Sequence, residues 1–362
     1  MRVLFIPYGG PTGNPYQRRL ATELERLGIA VDTEQYSAPL GLPTLIRAVR
    51  RSYDIIHLHF PAHFLLSDNR PLSVLKTGLF FSFLGFARTR GCRIVWTVHD
   101  LFEHANRDPD FERRSKRFLT KRLCDALLVH FPSATDAVIE AYDLPRVYAE
   151  QVAVIPHGHY IEEYQNAVSR KTARERFGFS NETVFLFFGL IRPYKRIPSL
   201  IRAFSEINDS DACLVIAGNP QTDMLRETVQ QTACEDDRVR LQLGFVPDDE
   251  IQYLMNAADA VVLPFEDVFT SGSAILAMSF GRAVVAPRIG GIEETVTEAN
   301  KPLLYDTPSE ANDSLSAALE RALDADLMEI GDANVTTIAD NDWQSIAEQT
   351  LMVYKRCGAT TD

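Results

Sequence analysis

The stretch TVFLFFGLIRPYKRIPSLIRAF (183–204) decides the fold. From Val184 to Phe188 it is apolar on both faces, the pattern of a strand buried between helices in a parallel sheet. Gly189 ends the strand, Arg192, Lys195 and Arg196 cluster in the following loop, and a helix follows. The same rhythm continues downstream through ACLVIAG (212–218), RVRLQLG (238–244), DAVVLPF (259–265) and RAVVAP (282–287). It also runs upstream. VLFIP (3–7), IAVDTEQ (29–35), DIIHLHF (54–60), CRIVWTV (92–98), ALLVHF (126–131) and VAVIP (152–156) read as strands with helical stretches between them. Two such series predict an α/β protein of two Rossmann-like, doubly wound parallel-sheet domains facing a cleft. The boundaries expected are 1–165 and 166–340, with a helix in 341–362 packing back on the first domain. No Pro/Gly/Ser tether marks the join near 156–180. Beyond LLYDT (303–307), two helical stretches are expected, 309–325 and 342–356.

Composition narrows the class. The 362 residues suit two domains, and 46% hydrophobic with 24% charged residues is ordinary for a globular chain. No run of 18 apolar residues suggests a spanning helix, and MRVLFIPYGG lacks a signal-peptide layout, so a cytoplasmic location is expected. The five cysteines are scattered without a C-x-x-C pair, which disfavours zinc and a disulfide framework. The net charge of -12 argues against bulk nucleic-acid binding.

Several loops then stand out. Gly9, Gly10 and Gly13 lie in the turn between the first strand and helix, where backbone amides can approach a phosphate. The spacing is not G-x-G-x-x-G, which disfavours NAD; the plain alternative is a βα turn capped by Asn14. Arg192 and Lys195 could clamp a diphosphate, the one by its planar fork and the other as a point charge. Ser271, Gly272 and Ser273 precede an apolar helix and leave amides and hydroxyls free for phosphate oxygens. Gly290 and Gly291 open another turn, with Glu293 and Glu294 after it. His57, His59, His99 and His130 close strands, and His104 follows soon after His99. His99 and Asp100 offer an imidazole and a carboxylate for acid–base work on a hydroxyl. A metal at His57-x-His59 lacks a third ligand, so no metal site is expected. Finally, the Phe-rich stretch 71–91, flanked by Lys76, Arg88, Arg90 and Arg93, suits either a helix packed on a sheet or peripheral contact with an anionic membrane.

Taken in order, FFGLIRPYKRIPSLIRAF, LVIAG, LGFVPDDEIQYLMNAADAVVLPF and SAILAMSFGRAVVAPRIGGIEE resemble the family 4 glycosyltransferases of the GT-B fold. DIIHLHFP, VWTVHD and VIPHG agree, so the resemblance covers nearly the whole chain. It implies sugar transfer from a nucleotide-diphosphate sugar to a hydroxyl of a glycan or lipid-linked glycan, with no obligatory cofactor or metal. It implies a first domain on the acceptor side, where His57, His59 and His104 would lie, and a second that binds the donor. Lys195 matches the lysine on the donor diphosphate, Glu294 the acidic residue near the donor, Gly9 and Gly10 the loop near its phosphates, and His99 the histidine near the sugar.

The chain departs from the family at its E-x7-E pattern. Val268 and Leu276 stand where the two glutamates belong, and Leu190 stands at the usual arginine position. Glu266, Asp267 and Arg192 are the nearest substitutes, and retaining and inverting chemistry both stay open. The rival readings are a nucleotide-sugar epimerase or hydrolase, and a binding protein without catalysis.

Overall fold

A computed structural model describes residues 1–10, 15–37, 40–104, 108–306 and 311–358, the residues 311–314 by backbone alone. Gly13, among the candidates above, lies outside the described residues. The chain divides into two units, Met1–Gly158 with the segment from Asn341 on, and His159–Asp340.

In the first unit the strands are β1 (Arg2–Ile6), β2 (Ala30–Thr33), β3 (Ile55–Leu58), β4 (Arg93–Thr97), β5 (Ala126–Val129) and β6 (Val152–Val154). They form one parallel sheet in the order β2-β1-β3-β4-β5-β6, with Leu4 opposite Ile56 and Trp96 opposite Leu127. The second unit holds β7 (Thr183–Phe188), β8 (Ala212–Gly218), β9 (Val239–Leu243), β10 (Ala260–Val262), β11 (Ala283–Pro287) and β12 (Leu304–Tyr305). Their order is β12-β11-β10-β7-β8-β9, again all parallel. These two sheets with their helices are the doubly wound α/β architecture expected. The strand order reverses between β1 and β3 in one sheet and between β7 and β10 in the other. Loops at the carboxyl ends of those strands form the crevice where open α/β sheets bind ligands.

Burial explains the strands. Val3 to Ile6, Ile94 to Trp96 and Phe185 to Phe187 are at most 1% exposed, each side chain contributing roughly 1.5–3 kcal/mol. The helix Trp343–Arg356 begins on an Asp342 cap and packs against Pro15–Arg26 of the same unit. One helix was not expected, Leu327–Ile338. Gly331 and the β-branched run Val335–Ile338 give it poor intrinsic propensity. Tertiary contact overrides that: a Cβ on Gly331 would stand 2.1 Å from the Gly281 carbonyl oxygen, so the helix backbone rests on that turn. Buried Asn334 secures it by donating to the Arg282 carbonyl (3.0 Å) and to Asn300 Oδ1 (2.8 Å).

Candidate functional site

In the second unit the loops after β7, β10 and β11 come together by topology, because those strands are neighbours. Lys195 ends a short 3-10 turn after β7 and is 9% exposed. Its Nζ lies 5.6 Å from the Phe187 ring centre and 5.3 Å from that of Phe265. Neither Lys195 nor Arg192 has a carboxylate partner or a side-chain hydrogen bond among the described residues. Burial, and after it the Arg192 charge, push the Lys195 ammonium down to about 8. A buried cation so placed is held ready for an anion.

The β10 loop reaches the same place. The Glu266 amide donates to the Tyr194 carbonyl (2.9 Å), and its carboxylate lies 3.4 Å from Arg196. Ser271 is buried and caps the helix Gly272–Ser279 by accepting from the Ala274 amide at 3.2 Å. Gly272 and Ser273, half-buried, form the first turn of that helix. Thr270 Oγ1, just before Ser271 in the same small-residue run, is shielded from solvent and has no hydrogen-bond partner among the described residues. The Gly290-Gly291 turn closes on this loop. The Gly291 amide donates to the Phe269 carbonyl (2.9 Å), and a Cβ on Gly290 (φ +54°) would stand 2.2 Å from the Val268 carbonyl oxygen. Glu294 is exposed in the short helix Ile292–Thr295. Leu276 is buried with the rest of Ala274–Ser279 and packs there.

In the first unit five histidines, His57, His59, His99, His130 and His157, form one buried cluster beside Tyr16, which is 2% exposed. Tyr16 meets the rings of His99, His157, His130 and His59 edge-on at centroid distances of 4.8, 4.9, 5.2 and 5.9 Å. Trp343 of the C-terminal helix joins at 5.2 Å. His57 is fully buried, with Nδ1 2.6 Å from the Tyr354 hydroxyl and Nε2 2.7 Å from that of Thr97. Both its nitrogens are therefore spent in the core. His59 Nδ1 lies 3.2 Å from His99 Nε2, while Nε2 of His59 and of His130 have no partner among the described residues. Desolvation holds all five rings neutral, His57 and His157 at about 3, His130 at about 4, and His59 and His99 well below the usual value. No group of three or more His, Cys, Asp or Glu among the described residues is placed to hold a metal ion.

Asp100, half-buried, follows His99 directly, and His104 is half-buried in the same loop. The Gly9 amide is occupied by Gln17 Oε1 at 2.8 Å, and Gly10 adopts φ +83° with Gln35 where a Cβ would go. A buried ion pair steadies the loop that carries Asp100. Lys116 Nζ lies 2.7 Å from Glu112, the two side chains being 3% and 0% exposed. Lys116 also donates to the Leu101 carbonyl (2.7 Å), and Glu112 accepts from the Glu103 amide (3.1 Å). Neither residue was singled out from the sequence, where an i,i+4 Glu–Lys pair reads as a solvated helix face. Lys116→Met breaks this pair and should cost about 3–5 kcal/mol in denaturant melts, with part regained in Glu112→Leu/Lys116→Met. A single-variant loss below about 1 kcal/mol would put the pair in the class of surface bridges instead.

Comparison with known proteins adds a class to this geometry. Residues 182–325 match the family model "Glycosyl transferases group 1". The chain is 29% identical over 245 residues to a GDP-mannose:glycolipid 4-beta-D-mannosyltransferase of Xanthomonas campestris, covering 66% of this chain and 63% of that one. It is 28% identical over 342 residues to the D-inositol 3-phosphate glycosyltransferase of Corynebacterium diphtheriae, covering 87% of this chain and 73% of that one. Among solved structures, Anabaena Alr3699/HepE in complex with UDP and glucose superposes with a TM-score of 0.72 at 20% identity, covering 98% and 100% of the two chains. Fold and matches together define a GT-B protein that resembles the family 4 glycosyltransferases. The matched residues 182–325 lie within its second unit.

Proposed function

We propose that the chain is a glycosyltransferase that moves a hexose from a nucleotide-diphosphate sugar to a hydroxyl of a glycan or lipid-linked glycan. The observation that carries this reading is Lys195, a buried ammonium with no carboxylate partner among the described residues, standing at the sheet's switch point inside the matched domain. The second unit takes the donor. Lys195, Arg192 and the amides of Gly272 and Ser273 stabilise the departing diphosphate, with Ser271 ordering that turn and Gly290, Gly291 and Glu294 beside it. The first unit takes the acceptor, near His59, His99 and His104.

In the step itself, the acceptor oxygen bonds to the sugar's anomeric carbon while the bond to the diphosphate breaks. The electron pair leaves with the phosphate oxygen, where fixed positive charge is worth most. The acceptor's proton goes to a base in an inverting reaction, or to the leaving phosphate in a retaining one. Of the two candidate bases, Asp100 suits better. His99 is buried, bonded to His59 and stacked on Phe60 at 4.7 Å, with its basicity strongly lowered. A lipid-linked acceptor fits the glycolipid named for the Xanthomonas relative, and the stretch 71–91 would bring the enzyme to the membrane that holds it.

A panel of UDP-, GDP- and ADP-hexoses, assayed for diphosphate release with and without membrane lipid extract, tests the proposal. Acceptor-dependent release from one donor is expected. Release without any acceptor would favour an epimerase or hydrolase, and no release with retained binding would favour a protein without catalysis.

A further inference from the structure

All five cysteines are free thiols, and three of them gather at one corner of the first unit. Cys92 and Cys124 come just ahead of the neighbouring strands β4 and β5, and both are buried. Cys357 follows the last helix, Trp343–Arg356, and is half-buried. Each directly precedes one member of a short chain of contacts. The Arg93 guanidinium lies 3.3 Å from Asp125, and a Cβ on Gly358 would stand 3.7 Å from Arg93 Nη2. The Asp125 amide donates to the Ile94 carbonyl (2.7 Å), and the Ile94 amide donates to Asp125 Oδ2 (2.8 Å). The two strand starts are therefore fixed against each other, with the end of the last helix on them.

Sheet register decides which thiols share a face. Val95 lies opposite Ala126, so two residues back Arg93 falls opposite Cys124, on one face of the parallel sheet. Cys92 alternates to the other face, where it lines a crevice with Phe83 and Phe86 of the helix Arg70–Thr89. Pro15–Arg26 leads from β1 outward to β2, whereas Arg70–Thr89 leads the opposite way, from β3 to β4. Right-handed crossovers therefore place these two helices on opposite faces. The last helix packs against Pro15–Arg26, which puts Cys357 on the Cys124 side and away from Cys92. Electrostatics agree with that placement. Burial, and after it Asp125 and then Cys357, raise the Cys124 thiol, while burial and Asp125 raise that of Cys357.

We propose that Cys124 and Cys357 are a modification site, oxidised by a peroxide to a reversible disulfide that ties the last helix to the sheet of the first unit. The half-buried Cys357 sulfur attacks hydrogen peroxide, takes one oxygen as a sulfenic acid and releases water. The Cys124 sulfur then bonds to the Cys357 sulfur, and the sulfenic oxygen leaves with the Cys124 proton as a second water. Two thiols are oxidised and one peroxide is reduced. Both thiols are protonated at neutral pH, so the bridge forms slowly. Its effect is on the helix that closes the histidine cluster. Trp343 of that helix meets Tyr16, and Tyr354 bonds His57, so a bridge at the helix end holds both contacts. The proposal is independent of whether sugar transfer occurs.

The test treats the full chain with excess hydrogen peroxide, blocks remaining thiols with N-ethylmaleimide in denaturant, and maps peptides without reductant. A cross-linked peptide pair carrying Cys124 and Cys357 is expected, and dithiothreitol should separate it. The oxidised protein should melt roughly 5 °C or more above the reduced one, because the bridge closes a loop that spans most of the chain. Cys357→Ser and Cys124→Ala should lose both the cross-link and the shift, whereas Cys92→Ala should keep both. If Cys124→Ala fails to fold, Cys357→Ser at its half-buried position still decides the matter. Recovery of both residues as maleimide adducts after oxidation would overturn the proposal. So would a Cys357 that stops at sulfinic acid beside a free Cys124, or a bridge that uses Cys92 or the exposed Cys234 instead.

Discussion

Lys195→Met abolishes stabilisation by nucleoside diphosphates and lowers turnover by about 10²–10³-fold, yet leaves the unliganded protein at least as stable as the parent. The two effects have one cause. Taking the Lys195 amine from its ordinary 10.5 to about 8 corresponds to roughly 3 kcal/mol against the charged form at neutral pH. Phe187 and Phe265 offer their ring faces, and Arg192 adds a like charge. Methionine fills the same space without a charge to desolvate, so the native state gains. A diphosphate supplies the counter-charge that the apo protein lacks, and only the lysine can use it. Thermal shift of parent and variant with UDP, GDP and ADP reads both effects at once. A variant that melts lower and still responds to a diphosphate would show that Lys195 is structural. The same panel names the nucleotide, because a ligand of the native state raises stability by mass action.

The loop carrying Lys195 was legible because it is local. A buried strand, a glycine and a basic cluster within 184–196 place cations at the carboxyl end of a parallel sheet, whatever the rest of the chain does. Strand positions were legible for the same reason: β8 coincides with ACLVIAG, β1 starts one residue earlier than VLFIP, and the other runs lose only end residues. What the sequence hid is long-range. His57 looked like a strand-end candidate, and its partner Tyr354 lies 297 positions away. No spacing rule links them. The histidines were visible one by one, but their convergence on Tyr16 depends on a helix from the far end of the chain closing the first unit. Lys116 and Glu112 failed in the opposite direction, because a pattern that is nearly always solvated was here driven inside against Trp96 and Tyr142. Val268 and Leu276 stand where the resemblance places the two glutamates. Whether Glu266 replaces one was not legible, since its carboxylate faces Arg196 from a different loop.

That buried cluster sets the second large effect: stability falls steeply as pH drops below about 6.5. An unfolded histidine takes up its proton near 6.5, whereas the native rings wait until about 3 or 4, or lower. Between those values the unfolded state binds more protons than the native one, so acid favours unfolding. Each such histidine contributes about 1.4 kcal/mol per pH unit. His57, His59, His99, His130 and His157 together could therefore remove about 7 kcal/mol per unit, against a total stability on the order of 5–15 kcal/mol. Asp236, held at about 2 first by its bond to Arg238, keeps its contribution above the usual carboxylate value and loses it only as pH falls toward 2. Urea melts at fixed pH steps measure the proton count directly from the slope. His130→Asn, which removes one neutral ring and its unpartnered Nε2, should reduce that slope by one proton. A parent protein that keeps its full stability down to about pH 4 would mean that the histidines are charged in the native state, and the cluster around Tyr16 would then have to open to water.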